Sequence, residues 1–211
     1  MKSIITVGRQ FGTGGHEIGQ KLAEKLGIKC YDKDLIKRVA QESGLCPEIL
    51  ENNDERPTSS FLYNLVMDTY SFGITNTNYV DMPISHKVFL AQFDTIKKIA
   101  NEGPCVIVGR CADYALADYD NVLNLFIYGD MDKRISRVMN KYSVSEKEAR
   151  DMIIKKDKQR ASYYNYYSTK KWGKAETYNL CVDSTLLGRD GTVNLLYQFV
   201  MDYEDMITAN R

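Results

Sequence analysis

The chain is short of several things, and each shortage removes a class of explanation. It has no surplus of either charge: Lys and Arg together number 28, and so do Asp and Glu. A protein that tracks a nucleic-acid backbone or adheres to an anionic membrane needs a basic field, so neither partner is expected. No apolar run approaches the roughly 18 residues that cross a bilayer. "MKSIITV" carries one lysine and an apolar stretch too short for a secretory leader. The five cysteines (Cys30, Cys46, Cys105, Cys111, Cys181) are odd in number and lack C-x-x-C spacing. They read as reduced thiols, largely buried, in a cytoplasmic protein rather than as a disulfide or zinc framework. Internal repeats and low-complexity tracts are missing too.

What remains is ordinary for a globular chain: 211 residues, 44% hydrophobic and 27% charged, enough for one domain with a sizeable core. Short β-branched or apolar runs at 3–7, 28–32, 105–109, 122–129 and 178–185 read as buried strands. Between them lie helical patterns: His16 to a stop at Gly27, about Lys33 to Glu42, Ile84 to Asn101, and a helix capped by Asp130 or Asp132. A capping box at Ser145 and Glu148 opens a helix running to about Arg160, and a last helix covers 189–209. This alternation predicts a three-layer α/β fold with a five-stranded parallel sheet flanked by helices. Residues 52–83, rich in Asn, Thr, Ser and Tyr, read as an inserted, partly helical cap.

The densest signal is "GRQFGTGGHEIGQKLAEKLG", where Gly8, Gly12, Gly14 and Gly15 fall between the first strand and the first helix. Glycines there permit positive φ and let backbone N–H groups converge on an anion, which the helix dipole also favours. The dinucleotide fingerprint G-x-G-x-x-G can start only at Gly12, and its third glycine would fall on Glu17. The mononucleotide loop G-x-x-x-x-G-K-[ST] also fails literally. If Gly14 is its last glycine, Gly15 stands where the lysine belongs and His16 where the hydroxyl belongs.

Order and spacing point to a family. The chain resembles the cytidylate kinase-like family, a branch of the nucleoside monophosphate kinases with the P-loop fold. The loop above resembles that family's loop and first helix, "YDKDLI" the end of its second strand, "CVIVGRCADYAL" its third strand and following turn, and "VDST" its last strand. Glycine for lysine in such a loop, with a basic residue next, is a pattern of this branch. The resemblance implies ATP-dependent phosphoryl transfer to a nucleoside monophosphate, CMP or dCMP, with Mg²⁺ accompanying ATP. It implies a single domain: a core of 1–51, 84–154 and 175–211, a monophosphate-side insert at 52–83, and a lid at 155–174.

Phosphoryl transfer needs two anions held in line, their charge neutralised and water excluded. Arg9, Gly12, Thr13, Gly14, Gly15 and His16 form the expected phosphate loop. Arg9 is its permanent charge and Thr13 its one hydroxyl. Arg110, after the apolar strand, stands where open α/β sheets bind ligands, and its fork suits a monophosphate; the plain alternative is a surface arginine. Asp113 either orients Arg110 or caps the next helix. Asp34 is placed with the monophosphate or caps its own helix, and Asp32 is the candidate Mg²⁺ carboxylate, acting through water. Arg134 shares a helix face with Arg137. By resemblance, Arg160 and Asp157 match the basic and acidic pair of the lid; Arg134, in the basic cluster that starts at "DKRISR", is a further catalytic candidate. The tyrosines at 163, 164, 166 and 167 with Trp172 could stack bases, but four in five residues more often pack a lid onto its domain. Two function classes stay open beyond the dinucleotide one: a nucleotide kinase, or a module that binds nucleotide or phosphate without turnover.

Overall fold

The computed structural model describes residues 1–55 and 83–209. Most of the predicted 52–83 insert therefore lies outside the described residues. Along the chain run β1 (Ile4–Arg9), α1 (Gly15–Leu26), β2 (Lys29–Tyr31), α2 (Lys33–Ser43) and α3 (Pro47–Asn53). After the insert come α4 (Ile84–Glu102), β3 (Cys105–Val108), α5 (Ala112–Ala115) and β4 (Val122–Tyr128). The remainder is α6 (Met131–Tyr142), α7 (Glu146–Tyr167), β5 (Leu180–Asp183) and α8 (Ser184–Ala209). The five strands form one wholly parallel sheet in the order β2-β3-β1-β4-β5.

Strand alternation divides the core in two, because successive side chains point to opposite faces. Ile5, Val7, Val106, Val108, Leu123, Leu125 and Ile127 pack with Ile18 and Leu22 of α1 and with Val193, Leu196 and Val200 of α8. Ile4, Cys105 and Ile107 pack on the other face with Leu35 and Val39 of α2 and with Val88, Ile96 and Ile99 of α4. Helix α1 lies close to the sheet because residue 19 is glycine: a Cβ there would stand 3.0 Å from Val108 Cγ2. β1 lies between β3 and β4, whereas a dinucleotide-binding sheet sets its first strand beside its second. That topology removes the dinucleotide reading.

Helix ends follow the sequence signals. Gly27 ends α1 in a left-handed cap (φ 69°), Asp130 accepts from the Asp132 and Lys133 N–H groups, and the Ser145–Glu148 box is reciprocal. One element differs. Helix α7 does not stop near Arg160 but continues to Tyr167. Tyr163 and Tyr167, four residues apart, share a face and bury against Phe89, whose ring stacks on Tyr167 at 3.7 Å between centroids. The tyrosines therefore anchor the helix, as the packing reading expected. The break at Gly188 (φ 66°, ψ −177°) separates a short turn from the rest of α8, so the long helical run does begin at 189.

Candidate functional site

The turn after β1 needs its glycines for two different reasons. Gly12 and Gly14 both have φ +84°, a conformation that strains residues bearing a Cβ. Gly15 has no such φ, but a Cβ there would stand 2.6 Å from Arg9 Cβ. The stem of Arg9 thus fills the space over the position where a phosphate loop normally carries its lysine. Arg9 itself is buried, and its guanidinium reaches the wall of the adjoining cleft. Thr13 corrects its sequence assignment: its hydroxyl is buried, donates to Gln10 O at 2.9 Å and accepts from the Gly15 N–H at 3.3 Å. It closes the turn rather than lining the cleft. His16, exposed on the first turn of α1, pairs through Nδ1 with Asp32.

Arg134 and Asp157 also lie away from the catalytic position expected of them. Arg134 is buried, donates from Nε to Phe11 O at 2.8 Å and from Nη1 to Gln10 Oε1 at 3.2 Å, and pairs with Asp157. Asp157 in turn accepts from the Phe11 N–H at 2.7 Å. The pair ties the loop to α6 and α7 from outside the cleft. Arg137 stacks its guanidinium over Gly14 and pairs with Glu17 at 2.7 Å.

On the β3 side, three consecutive residues adopt left-handed φ: Gly109 (78°), Arg110 (52°) and Cys111 (52°). This sharp turn directs the Arg110 side chain back beneath the sheet edge, where it is almost wholly buried. Nε and Nη2 donate to the two oxygens of Asp54 at 3.1 and 2.8 Å, and Nη1 donates to Asp32 at 2.6 Å and to Val108 O at 3.0 Å. Glu55 accepts from Arg9 Nη1 at 2.6 Å and from Arg160 Nε at 3.1 Å. Burial alone would raise the Glu55 carboxyl, but Arg9, Arg160 and Arg110 outweigh it and hold the group well below the ordinary range. For Asp32, too, burial is overcome, by Arg110 and Arg9, and the carboxyl is lowered. Burial and the neighbouring Arg9 lower Arg160, although a guanidinium stays protonated at neutral pH.

Asp54 and Glu55 were missed in the sequence, where "DER" opens a polar stretch that resembles any solvated loop. Asp113 does not orient Arg110. It is buried on α5, accepts from the Tyr164 hydroxyl, and burial raises its carboxyl. Asp34 does not join the cluster either; it is exposed and pairs with Lys37 at 2.8 Å. Arg9, Gly12, Gly14, Gly15, His16, Asp32, Arg110 and Arg160 are brought together around one cleft of about 1020 Å³ at the carboxyl ends of β1 and β3. Eight Lys and Arg side chains line it against four carboxylates, a cationic excess suited to a polyanion. No group of three or more metal-ligand side chains occurs among the described residues. The described residues fit Mg²⁺ as an ion carried chiefly by phosphates and water, which is how Mg²⁺ is usually held.

The model of the cytidylate kinase-like family matches residues 4–186. A crystal structure of an uncharacterized protein from Eubacterium ventriosum ATCC 27560 is 30% identical, with a TM-score of 0.67 over 94% of this chain and 98% of that one. Shikimate kinase from Bacteroides thetaiotaomicron has a similar fold at 12% identity (TM-score 0.53, 95% and 99% covered). So does TT1252 from Thermus thermophilus at 13% identity (TM-score 0.50, 92% and 96% covered). No curated protein matches the chain.

Proposed function

This chain belongs to the cytidylate kinase-like family, and we propose that it transfers a phosphoryl group from ATP to a nucleoside monophosphate, CMP or dCMP. The family supports nucleotide-dependent phosphoryl transfer in general; the acceptor is our reading. The observation that carries it is the cationic cleft shared by the glycine loop of β1 and the Arg110 turn of β3. In it, two phosphorylated substrates could meet without crossing a strand.

The loop N–H groups and the first turn of α1 bind the donor phosphates, as helix N-termini do. Arg9 supplies the charge that the absent lysine would have given, and Arg160 and Lys156 of the 155–174 segment cover the same phosphates. His16 adds a hydrogen bond at the helix start. Mg²⁺, when bound with ATP, would neutralise the donor phosphates, with Asp32 the carboxylate beside the loop. Arg110 spends four N–H groups on Asp54, Asp32 and Val108 O, which leaves one of its five for an acceptor phosphate. It therefore neutralises and orients the acceptor half more than it grips a phosphate by itself. Asp113, Asp34 and Thr13 have no contact with substrate in this scheme, and Arg134 and Asp157 are positioning residues for the loop.

A binding module without turnover is the second reading, favoured by the glycine at the lysine's position. ³¹P NMR of the protein with MgATP and a panel of nucleoside monophosphates separates the two. CMP or dCMP should be converted to the diphosphate, and Gly14→Val, which sets a branched side chain against Arg137 at a left-handed φ, should abolish conversion while the protein stays folded. Tight ATP binding with no transfer to any monophosphate would establish the second reading. Transfer that survives in a folded Gly14→Val protein would refute the loop assignment.

A further inference from the structure

Four non-glycine residues have left-handed φ among the described residues, and three of them meet at one point: Glu55 (50°), Arg110 (52°) and Cys111 (52°). The fourth, Ser143, merely caps α6. Such backbone is costly for residues with a Cβ and persists where surrounding contacts over-determine it. Here those contacts converge on the Glu55 carboxylate. Oε1 accepts from Arg9 Nη1 at 2.6 Å and from the Arg110 backbone N–H at 3.4 Å, and Oε2 accepts from Arg160 Nε at 3.1 Å. The backbone carbonyl of Glu55 accepts from Gln159 Nε2 at 3.2 Å. Gly109 is bare beneath it: any Cβ there would overlap both Arg9 Nη1 and Glu55 Oε1.

Two guanidinium groups and a backbone N–H from a left-handed turn make the donor set that holds phosphoryl oxygens. The set lies on the wall of the cleft that the glycine loop also lines. An acidic side chain is an odd tenant for it. A phosphate that shared both arginines with the carboxylate at this distance would set like charges side by side, which disfavours the joint occupancy.

We propose that Arg9, Arg160 and the Arg110 N–H form an oxyanion subsite for a substrate phosphoryl group, and that Glu55 occupies it until the phosphate displaces its carboxylate. This rests on the phosphate-site reading of the cleft and adds a competitor built into the chain. While the subsite is empty of phosphate, Glu55 keeps the two arginines apart and in place. Rotation of its side chain toward the cleft frees both for the incoming anion. No bond is made or broken in the exchange, only ion pairs. The apparent affinity for phosphate is lowered by the fraction of time the carboxylate is resident.

Inorganic pyrophosphate is the probe, and the full chain is the sample. In the wild type, carbodiimide labelling of carboxylates read by peptide mass spectrometry should find Glu55 protected alone and reactive at saturating pyrophosphate. Calorimetry should find that Glu55→Gln binds pyrophosphate about tenfold more tightly than wild type, as expected if the carboxylate is resident about nine-tenths of the time. If pyrophosphate binds the wild type while Glu55 stays protected, or a folded Glu55→Gln protein binds it no better, displacement is refuted and Glu55 is a positioning group for the arginines. If neither protein binds pyrophosphate, the phosphate-site reading falls as well. The labelling arm needs no variant, so the test stands even if Glu55→Gln does not fold.

Discussion

Two neighbouring strands of the same sheet end in turns built on opposite plans. After β1, the turn is made by glycines, its one hydroxyl is folded inward, and its tether, the Arg134–Asp157 pair, grips it from outside the cleft. Its outer face is left open to the cleft. After β3, the turn is three left-handed residues whose arginine is fastened on the cleft side by Asp54 and Asp32. The first turn keeps its tether behind it, although Arg9 and His16 at its ends still pair with Glu55 and Asp32; the second commits its arginine on the cleft side to protein acids. The acids around Arg9 and Arg110 therefore set how readily either turn can answer a substrate.

The strongest way to break the second turn is Gly109→Ala. The new methyl meets Arg9 Nη1 and Glu55 Oε1 at a left-handed φ, so it strains the backbone and separates a buried ion pair. A loss of about 4 kcal/mol is expected in urea unfolding, and a loss below 1 kcal/mol would mean that the turn relaxes freely. Arg134→Met tests the support behind the first turn. It strips the tether from Phe11 O and leaves Asp157 without its guanidinium, for an expected cost of about 3 kcal/mol. Asp157→Asn in the same chain should recover part of that cost, because the stranded charge is removed; strictly additive losses would show that the two side chains act separately.

The smallest effect concerns Glu17, whose ion pairs border the loop at the surface. Burial would raise its carboxyl, but Arg189 and Arg137 outweigh burial and lower it from 4.5 to about 2. Because the folded value lies below the unfolded one, the stabilisation is complete above about pH 4.5 and is lost as pH falls toward 2. Glu17→Gln should flatten that segment of the acid-unfolding curve relative to wild type and leave stability at pH 7 only slightly lower. An unchanged acid limb would mean that these ion pairs contribute nothing.

The strands and helix starts were legible because periodicity and caps are local: "CVIVG" reads as a buried strand, and Ser145 with Glu148 reads as a helix start. The end of α7 was not, because the charges from Lys155 to Arg160 interrupt its apolar pattern, and only the Phe89 ring shows what the tyrosines pack against. Thr13 and Asp113 were misplaced for a related reason. Sequence gives a residue's chemistry and its element, but not whether a hydroxyl or carboxylate turns inward to a nearer partner.

By itself, the sequence determined an α/β chain with a glycine-rich anion loop after its first strand and a basic complement spread over β1, β3, α6 and α7. Spacing and composition suffice there, since each feature depends on residues a few positions apart. Tertiary structure decided how those charges are paired. Arg9 lies over Gly15, Arg134 stands behind the loop, and Arg110 is held between Asp32 and Asp54. Glu55, 46 residues from Arg9 and 105 from Arg160, reaches both only because β1, α7 and the chain after α3 converge at one sheet edge. Ion pairing across such separations is set by the packing of elements, and no local pattern in the chain encodes it.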